Sequence, residues 1–216
     1  MSKQSLFDFD GTITTKDTLV ILIFELLKLR PARIFRASYY IVGLKITVSA
    51  SGKQKLKNTV IGCLIKDLSE EQLNGALRNF RRRVSGLYRP AVINEIHRAV
   101  KDGGTAIVVT ASPTFAVQFC LSDLPVLVLG TEFEMKQDLF TGCLEREGCY
   151  GAVKAERVRQ WAAANGMTLN IESAWSDHLS DADMLMMAAN RYWIGDEGHR
   201  KIFMERDPEG KFILSE

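Results

Sequence analysis

The residues with chemistry in them come first. Asp8 and Asp10 stand two apart in residues 5–12 (SLFDFDGT), at the end of a short apolar run, 6–9, that reads as a buried strand. Residues two apart in an extended chain face the same side. Two negative charges thus converge at a strand's C-terminal edge, where open α/β sheets carry their sites. Burying such a pair uncompensated is costly, and a hard cation such as Mg²⁺ relieves it. An ionised Asp can also act as a nucleophile and form an aspartyl-phosphate. The simpler alternative is a strand-end turn with two solvated carboxylates, because short motifs recur by chance.

Three further pieces fall at other strand ends. Thr110 closes the run TAIVVT and is followed by Ala111, Ser112 and Pro113. A hydroxyl there, with free amides at a helix N-terminus, suits a phosphate oxygen. Ser112 by itself reads as a helix N-cap, and Pro113 as a first-turn residue. Lys154 starts a helix, where a cation is disfavoured. Alone it reads as a surface lysine; beside Asp8 and a transferring phosphoryl group it makes sense. Asp177 and Asp181 lie in SDHLSD, after a strand at 170–175. Asp177 can complete a Mg²⁺ site with Asp8 and the main-chain carbonyl of Asp10. Asp181 can hold Lys154 or a metal-bound water, or simply cap a helix. His178 reads as a rim residue or, second, as a leaving-group contact.

These residues need a scaffold. Residues 17–30 are apolar on nearly all faces, with Asp17 or Thr18 as N-cap and Pro31 as stop. Residues 32–49 form a second helical segment, with Ser51-Gly52 breaking the pattern. Helices follow at 53–66 and 69–85, the latter opened by a capping box at Ser69–Gln72. Residues 16–89 therefore read as an all-helical insert. After Pro90 the grammar alternates: helix 91–101, strand 105–110, a helix from Pro113, strand 126–130, a hairpin within 131–148, helix 152–165. Strand 170–175, helix 181–189 and strand 191–195 follow; the charged tail 200–216 gives no clear element. Alternation of this kind implies an α/β fold with a doubly wound parallel sheet. The expected division is a core of 1–15 and 90–216 with a helical cap, 16–89, inserted after the first strand.

The chain has 216 residues and a net charge of +2, distributed unevenly. Residues 16–89 hold 15 Lys/Arg against 5 Asp/Glu, net +10, and no acidic residue occurs from Leu26 to Lys66. Such asymmetry points to an anionic partner. The four cysteines show no C-x-x-C spacing, and the three histidines are too scattered for a zinc site. Without a signal peptide or a bilayer-length apolar run, the expectation is a cytoplasmic protein.

The ordered set DFDGTIT, strand-terminal Thr110, Lys154 and SDHLSD resembles the four motifs of the haloacid dehalogenase (HAD) superfamily, across essentially the whole chain. The resemblance implies a Rossmann-like core and a phosphatase. It makes Asp8 the nucleophile, Asp10 the general acid/base, and Thr110 and Lys154 the holders of the phosphoryl group. Gly11, Thr12 and Ala111 would contact phosphate, Asp8, Asp10 and Asp177 would bind Mg²⁺, and Asp181 would support the site. The helical insert is similar to the C1 cap of the phosphoserine-phosphatase-like subclass. Gly11 and Asp17 stand where phosphoserine phosphatases carry Ser and Glu. The basic, apolar insert looks closer to the phosphatidylglycerophosphatase C family and its soluble relatives.

Two substrates follow. The first is a small phosphorylated metabolite, drawn in by the positive insert. The second is a lipid phosphate, with residues 19–50 resting on the anionic surface of the inner membrane. A non-catalytic binding protein is a third reading, disfavoured because every chemical position holds a competent residue. No nucleic-acid-binding motif is present, so no nucleic acid is expected, and nothing specifies an oligomeric state.

Overall fold

The first strand, β1 (Gln4–Phe7), is buried at all four residues, as a strand must be when helices cover both faces of a sheet. In the computed structural model, which describes residues 3–35 and 49–215, β1 lies inside a six-stranded sheet. Its partners are β2 (Thr105–Pro113), β3 (Val126–Thr131), β6 (Ile171–Ser176), β7 (Asn190–Gly195) and β8 (Lys211–Leu214). The order is β3-β2-β1-β6-β7-β8, with every neighbouring pair parallel. β4 (Phe133–Lys136) and β5 (Leu139–Leu144) form a separate antiparallel hairpin. The chain therefore winds outward from β1 through β2 to β3, then crosses back to β6 on the other side of β1. That reversal opens a crevice at the carboxyl ends of β1, β2 and β6. The register aligns those ends, since Phe7 faces Val108 on one side and Trp175 on the other.

Between β1 and β2 the chain builds α1 (Leu19–Leu29), α2 (Ala50–Ile65) and α3 (Glu70–Val84). The core helices are α4 (Pro90–Lys101), α5 (Thr114–Cys120), α6 (Ala152–Ala164), α7 (Ala182–Leu185) and α8 (Glu197–Arg206). α1 and α3 pack through Leu22, Leu26, Leu73, Leu77 and Phe80, all buried. Glu25 is buried in the same seam, and accepts from Lys28 and Arg83 at 3.0 Å each. The two crossings between insert and core are stitched together: Thr15 N–H donates to Leu87 O at 2.9 Å and Arg89 N–H to Ile13 O at 2.8 Å. At the far side, α2 leans on the hairpin. The α2–α3 linker exchanges backbone bonds with Phe140, from Asp67 N–H at 2.8 Å and to Leu68 O at 2.9 Å.

Several expected boundaries move. Ser51-Gly52 does not break a helix; Ser49 caps α2 by accepting from Gly52 N–H at 3.1 Å, so both residues sit in its first turn. The capping box at Ser69 and Gln72 forms as expected. β2 runs on to Pro113, and α5 starts at Thr114, because the strand continues past Thr110 alongside β3. The helix expected at 181–189 shrinks to a 3₁₀ turn, Leu179–Asp181, and the single turn of α7. The uninformative tail supplies α8 and the edge strand β8. Of the helix expected at 32–49, a 3₁₀ turn, Pro31–Arg33, and α-helical residues 34–35 are seen; residues 36–48, with Arg36 and Lys45, lie outside the described residues.

Two glycines give opposite tests. A Cβ on Gly62 would stand 2.0 Å from Gly142 O, where α2 meets the hairpin backbone, whereas one on Gly75 in α3 meets nothing within 4 Å. Gly62→Ala should destabilise the fold by about 1–3 kcal/mol through overpacking. Gly75→Ala should stabilise it by roughly 0.5–1 kcal/mol. Thermal unfolding of both variants checks the signs.

Candidate active site

Asp8 follows β1 directly. Its backbone N–H donates to Trp175 O at 2.9 Å, which seats it against the end of β6. Asp177 lies one residue past β6, so the parallel register alone brings Asp8 and Asp177 into one crevice. The convergence with Asp10 comes from a kink rather than from strand alternation. Residues Phe9–Ile13 form a π-type turn broken at Asp10 and Gly11, where Gly11 takes φ +81°. A Cβ on Gly11 would lie 1.9 Å from Asp177 Oδ2. Only glycine lets this turn pass beneath the Asp177 carboxylate.

Lys154 is the third residue of α6, after Gly151 at φ +61°. It is 3% exposed, which rules out a surface lysine. Its Nζ donates to Asp8 Oδ1 at 2.6 Å and to Asp181 Oδ2 at 2.7 Å. Two carboxylates thus offset the unfavourable helix end. Asp181 occupies the N-cap position of α7 but makes no capping bond; its side chain turns to Lys154 and Ser176, the latter at 2.7 Å. Thr12 is fully buried, and its hydroxyl donates to Asp177 Oδ1 at 3.2 Å.

Asp10 is held from two sides. Oδ1 accepts from Thr18 N–H and Thr18 Oγ1, both at 2.7 Å, and Oδ2 accepts from Ser112 Oγ at 2.6 Å. Ser112 is therefore no helix cap; Pro113 holds that position. Thr110 is buried, and its Oγ1 accepts from Ser112 N–H at 3.0 Å.

These side chains line a cavity of about 490 Å³, a size suited to a small ligand. Its floor includes Asp8, Asp10, Gly11, Thr110, Ala111, Lys154, Asp177 and Asp181. Its roof is the insert: Leu19 and Asp17 from the root of α1, and Lys53, Gln54 and Lys57 from α2. Lys57 pairs with Asp17 at 2.7 Å, and Gln54 Nε2 donates to Ala111 O at 3.2 Å, tying α2 to the core. His178 lines the rim, its Nδ1 accepting from Ser180 N–H at 3.1 Å.

Five carboxylates line this space with a single buried lysine, and the proton affinities of three of them show it. Burial raises Asp8 well above the usual carboxylate range; Lys154 opposes this, while Asp181 and Asp177 add to it. Asp177 is raised by burial and by Asp181, against the Thr12 bond. Asp10 is raised by burial and Asp17, against its bonds from Ser112 and Thr18. Lys154 is raised by both of its partners despite burial. Among the described residues no three His, Cys, Asp or Glu side chains converge on one metal position. A cation here would take two carboxylates, Asp8 and Asp177, and complete its shell with backbone, phosphate and water oxygens. That is the habit of Mg²⁺.

The sequence motifs thus meet in space: Asp8, Asp10, Gly11, Thr110, Ala111, Lys154, Asp177 and Asp181 line one cavity. Thr12 lies behind it. Sequence reasoning missed Thr18, Ser112 and Ser176 as partners of the carboxylates, and Lys53, Gln54 and Lys57 as the roof.

Fold and site together define a Rossmann-like hydrolase with a carboxylate-and-lysine centre at the sheet's switch point and a helical insert above it. The chain belongs to the haloacid dehalogenase-like hydrolases, whose family model matches residues 6–186. Protein CicA of Caulobacter vibrioides is 27% identical over 194 residues, covering 84% of this chain and 81% of that protein. A structure from Bordetella pertussis Tohama I, described as a protein with unknown function, is similar at TM-score 0.79 and 19% identity, covering 99% of both chains. A phosphoserine phosphatase solved as a phospho-aspartyl intermediate analogue is similar at TM-score 0.62 and 20% identity, covering 97% of this chain and 93% of that one. Cytosolic 5'-nucleotidase IIIB bound to cytidine is similar at 0.70 and 14%, covering 99% and 80%.

Gly11→Ala should displace Asp177 and lower turnover about 10²-fold or more, since misplacement by 1 Å costs that much; steady-state kinetics on any working phosphoester checks it. Raised carboxylate pKa values also have a stability consequence. Below the ordinary value of about 3.9 the stabilisation is fully present, and it is lost as pH rises through the folded-state value. Ionisation of Asp8, Asp10 and Asp177 as pH rises therefore opposes folding. Asp177→Asn should stabilise metal-free protein at pH 8 by about 0.5–2 kcal/mol, fading towards pH 4. Melting curves in chelator across pH measure it.

Proposed function

We propose that the protein is a Mg²⁺-dependent phosphatase that cleaves a small phosphorylated metabolite through an aspartyl-phosphate on Asp8. The observation that carries this reading is Lys154, buried between Asp8 and Asp181 at the switch point, with Asp10 on the same cavity. A carboxylate held against a cation, beside a second carboxylate of raised proton affinity, is a nucleophile with its acid/base.

In the first step an Asp8 carboxylate oxygen bonds to phosphorus, the ester P–O bond breaks, and Asp10 gives its proton to the departing oxygen. In the second, water attacks the phosphorus and passes a proton to Asp10. The bond to Asp8 then breaks, and phosphate leaves with Asp8 restored. Lys154 neutralises the phosphoryl oxygens throughout, aided by the Thr110 hydroxyl and the amides of Gly11, Thr12 and Ala111. Asp8, Asp177 and the Asp10 carbonyl would hold Mg²⁺, which supplies further charge neutralisation to the phosphoryl group. Closure by α2 excludes bulk water, and the Lys53 ammonium favours an anionic substrate.

A second reading, a lipid phosphate at a membrane surface, is favoured by one observation. The insert exposes Val20 (72%) and Phe35 (83%), with Phe24, Leu29 and Ile34, and its net charge is positive. Such a surface suits anionic lipid. No described helix is long and apolar enough to cross a membrane.

Purified protein should hydrolyse p-nitrophenyl phosphate with Mg²⁺, lose that activity in EDTA, and recover it on adding Mg²⁺ back. Asp8→Asn should abolish turnover; an active Asp8→Asn protein would overturn the nucleophile assignment. Flotation with phosphatidylglycerol vesicles at low salt separates the two substrates: the metabolite reading expects protein to stay with the soluble fraction.

A further inference from the structure

The three bonds on Asp10 are unequal. Oδ1 accepts two hydrogens, both from Thr18, while Oδ2 accepts one, from Ser112. Thr18 is 1% exposed and Ser112 8%, so neither bond is exchanged freely with water. A carboxylate oxygen that already accepts two hydrogens has little room for a proton, whereas one that accepts a single hydrogen keeps a lone pair open. The two donors also come from different parts of the molecule. Ser112 stands on β2 of the core. Thr18 is the residue from which α1 springs, at the root of the helical insert. That root is itself fixed, by the paired crossings at Thr15–Leu87 and Ile13–Arg89 and by the Asp17–Lys57 ion pair.

We propose that Thr18 and Ser112 are positioning residues that clamp Asp10 from the insert side and the core side, and that the clamp assigns Oδ2 as the oxygen that carries the transferable proton. Ser112 also lines the cavity; the role assigned to each residue is to fix which face of Asp10 meets the leaving group. The inference rests on the phosphatase reading. It predicts a defect confined to proton delivery: as the P–O ester bond breaks, the leaving oxygen gains the electron pair, and Asp10 Oδ2 must supply the proton to it.

Leaving-group basicity reads this directly. kcat/KM reports steps up to the first irreversible phosphoryl transfer, before water enters. Phenolate is a strong base, with the conjugate acid near the Tyr value of about 10, and needs the proton. p-Nitrophenolate is a much weaker base and departs without it, yet the two esters have nearly the same shape. Thr18→Val and Ser112→Ala should each lower kcat/KM for phenyl phosphate roughly 10- to 100-fold, part of the ~10²–10⁴ that a positioned acid supplies. For p-nitrophenyl phosphate the loss should stay within about threefold, by the same reasoning. Thr18→Ser keeps the hydroxyl and should restore wild-type ratios. In an Asp10→Asn background, adding Thr18→Val or Ser112→Ala should change phenyl phosphate turnover no further, because the clamp acts only through Asp10. Equal losses on both esters, no loss on either, failure of Thr18→Ser to restore the ratio, or additive losses with Asp10→Asn would each overturn the clamp. Wild-type protein inert to both esters would instead overturn the phosphatase reading and the clamp with it. Melting temperatures of the variants are measured alongside, and Ser112→Ala, which removes only one hydroxyl, carries the test if Thr18→Val does not fold.

Discussion

One ammonium group holds this site together. Lys154 Nζ lies at 2.6 and 2.7 Å from two buried carboxylates, and a third, Asp177, is close enough to raise the Asp8 proton affinity. Taking charges out of water is expensive, and the attraction between them repays it only with close, well-directed contacts. Here repayment is incomplete, because negative charge outnumbers positive. Such a surplus favours the approach of positive charge. A centre built for folding stability alone would have balanced its charges.

Three strand ends do most of the work of placing the partners of that ammonium. β1, β2 and β6 are neighbours, although they are distant in sequence, because the winding reverses at β1. Parallel register then puts Thr110 and Asp177 one residue beyond the level of Asp8, at the same end of the sheet. Fine placement is left to irregular backbone. Gly11 at positive φ lets the turn after β1 slip under Asp177, and Gly151 turns the chain so that α6 starts with Lys154 pointing inward.

How much of this the sequence disclosed follows from which forces act locally. Buried β-branched runs such as TAIVVT declare themselves. Asp8, Asp10, Lys154, Asp177 and Asp181 each have an ordinary structural reading when taken singly, and were legible only as an ordered set resembling known motifs. Ser112 was not. Its proline neighbour imitates a helix start, and only the pairing of β2 with β3, a non-local fact, shows the strand continuing. Thr18 imitates an N-cap for the same kind of reason; its hydroxyl goes instead to Asp10, eight residues back across the kink. β8 was hidden because four residues, KFIL, hold too little pattern and depend on β7 for their conformation.

The roof of the cavity shows why insert and core cannot be understood apart. α2 reaches the core through Gln54 on Ala111 O, just past Thr110 on β2, and reaches the root of α1 through Lys57 on Asp17. Thr18, next along from Asp17, holds Asp10. Asp17 and Thr18 are adjacent in the chain, so the contact from α2 and the hold on Asp10 meet at the root of α1. The roof of the cavity and the Asp10 carboxylate on its floor are therefore anchored to the same short stretch of backbone, and the geometry of one depends on that of the other.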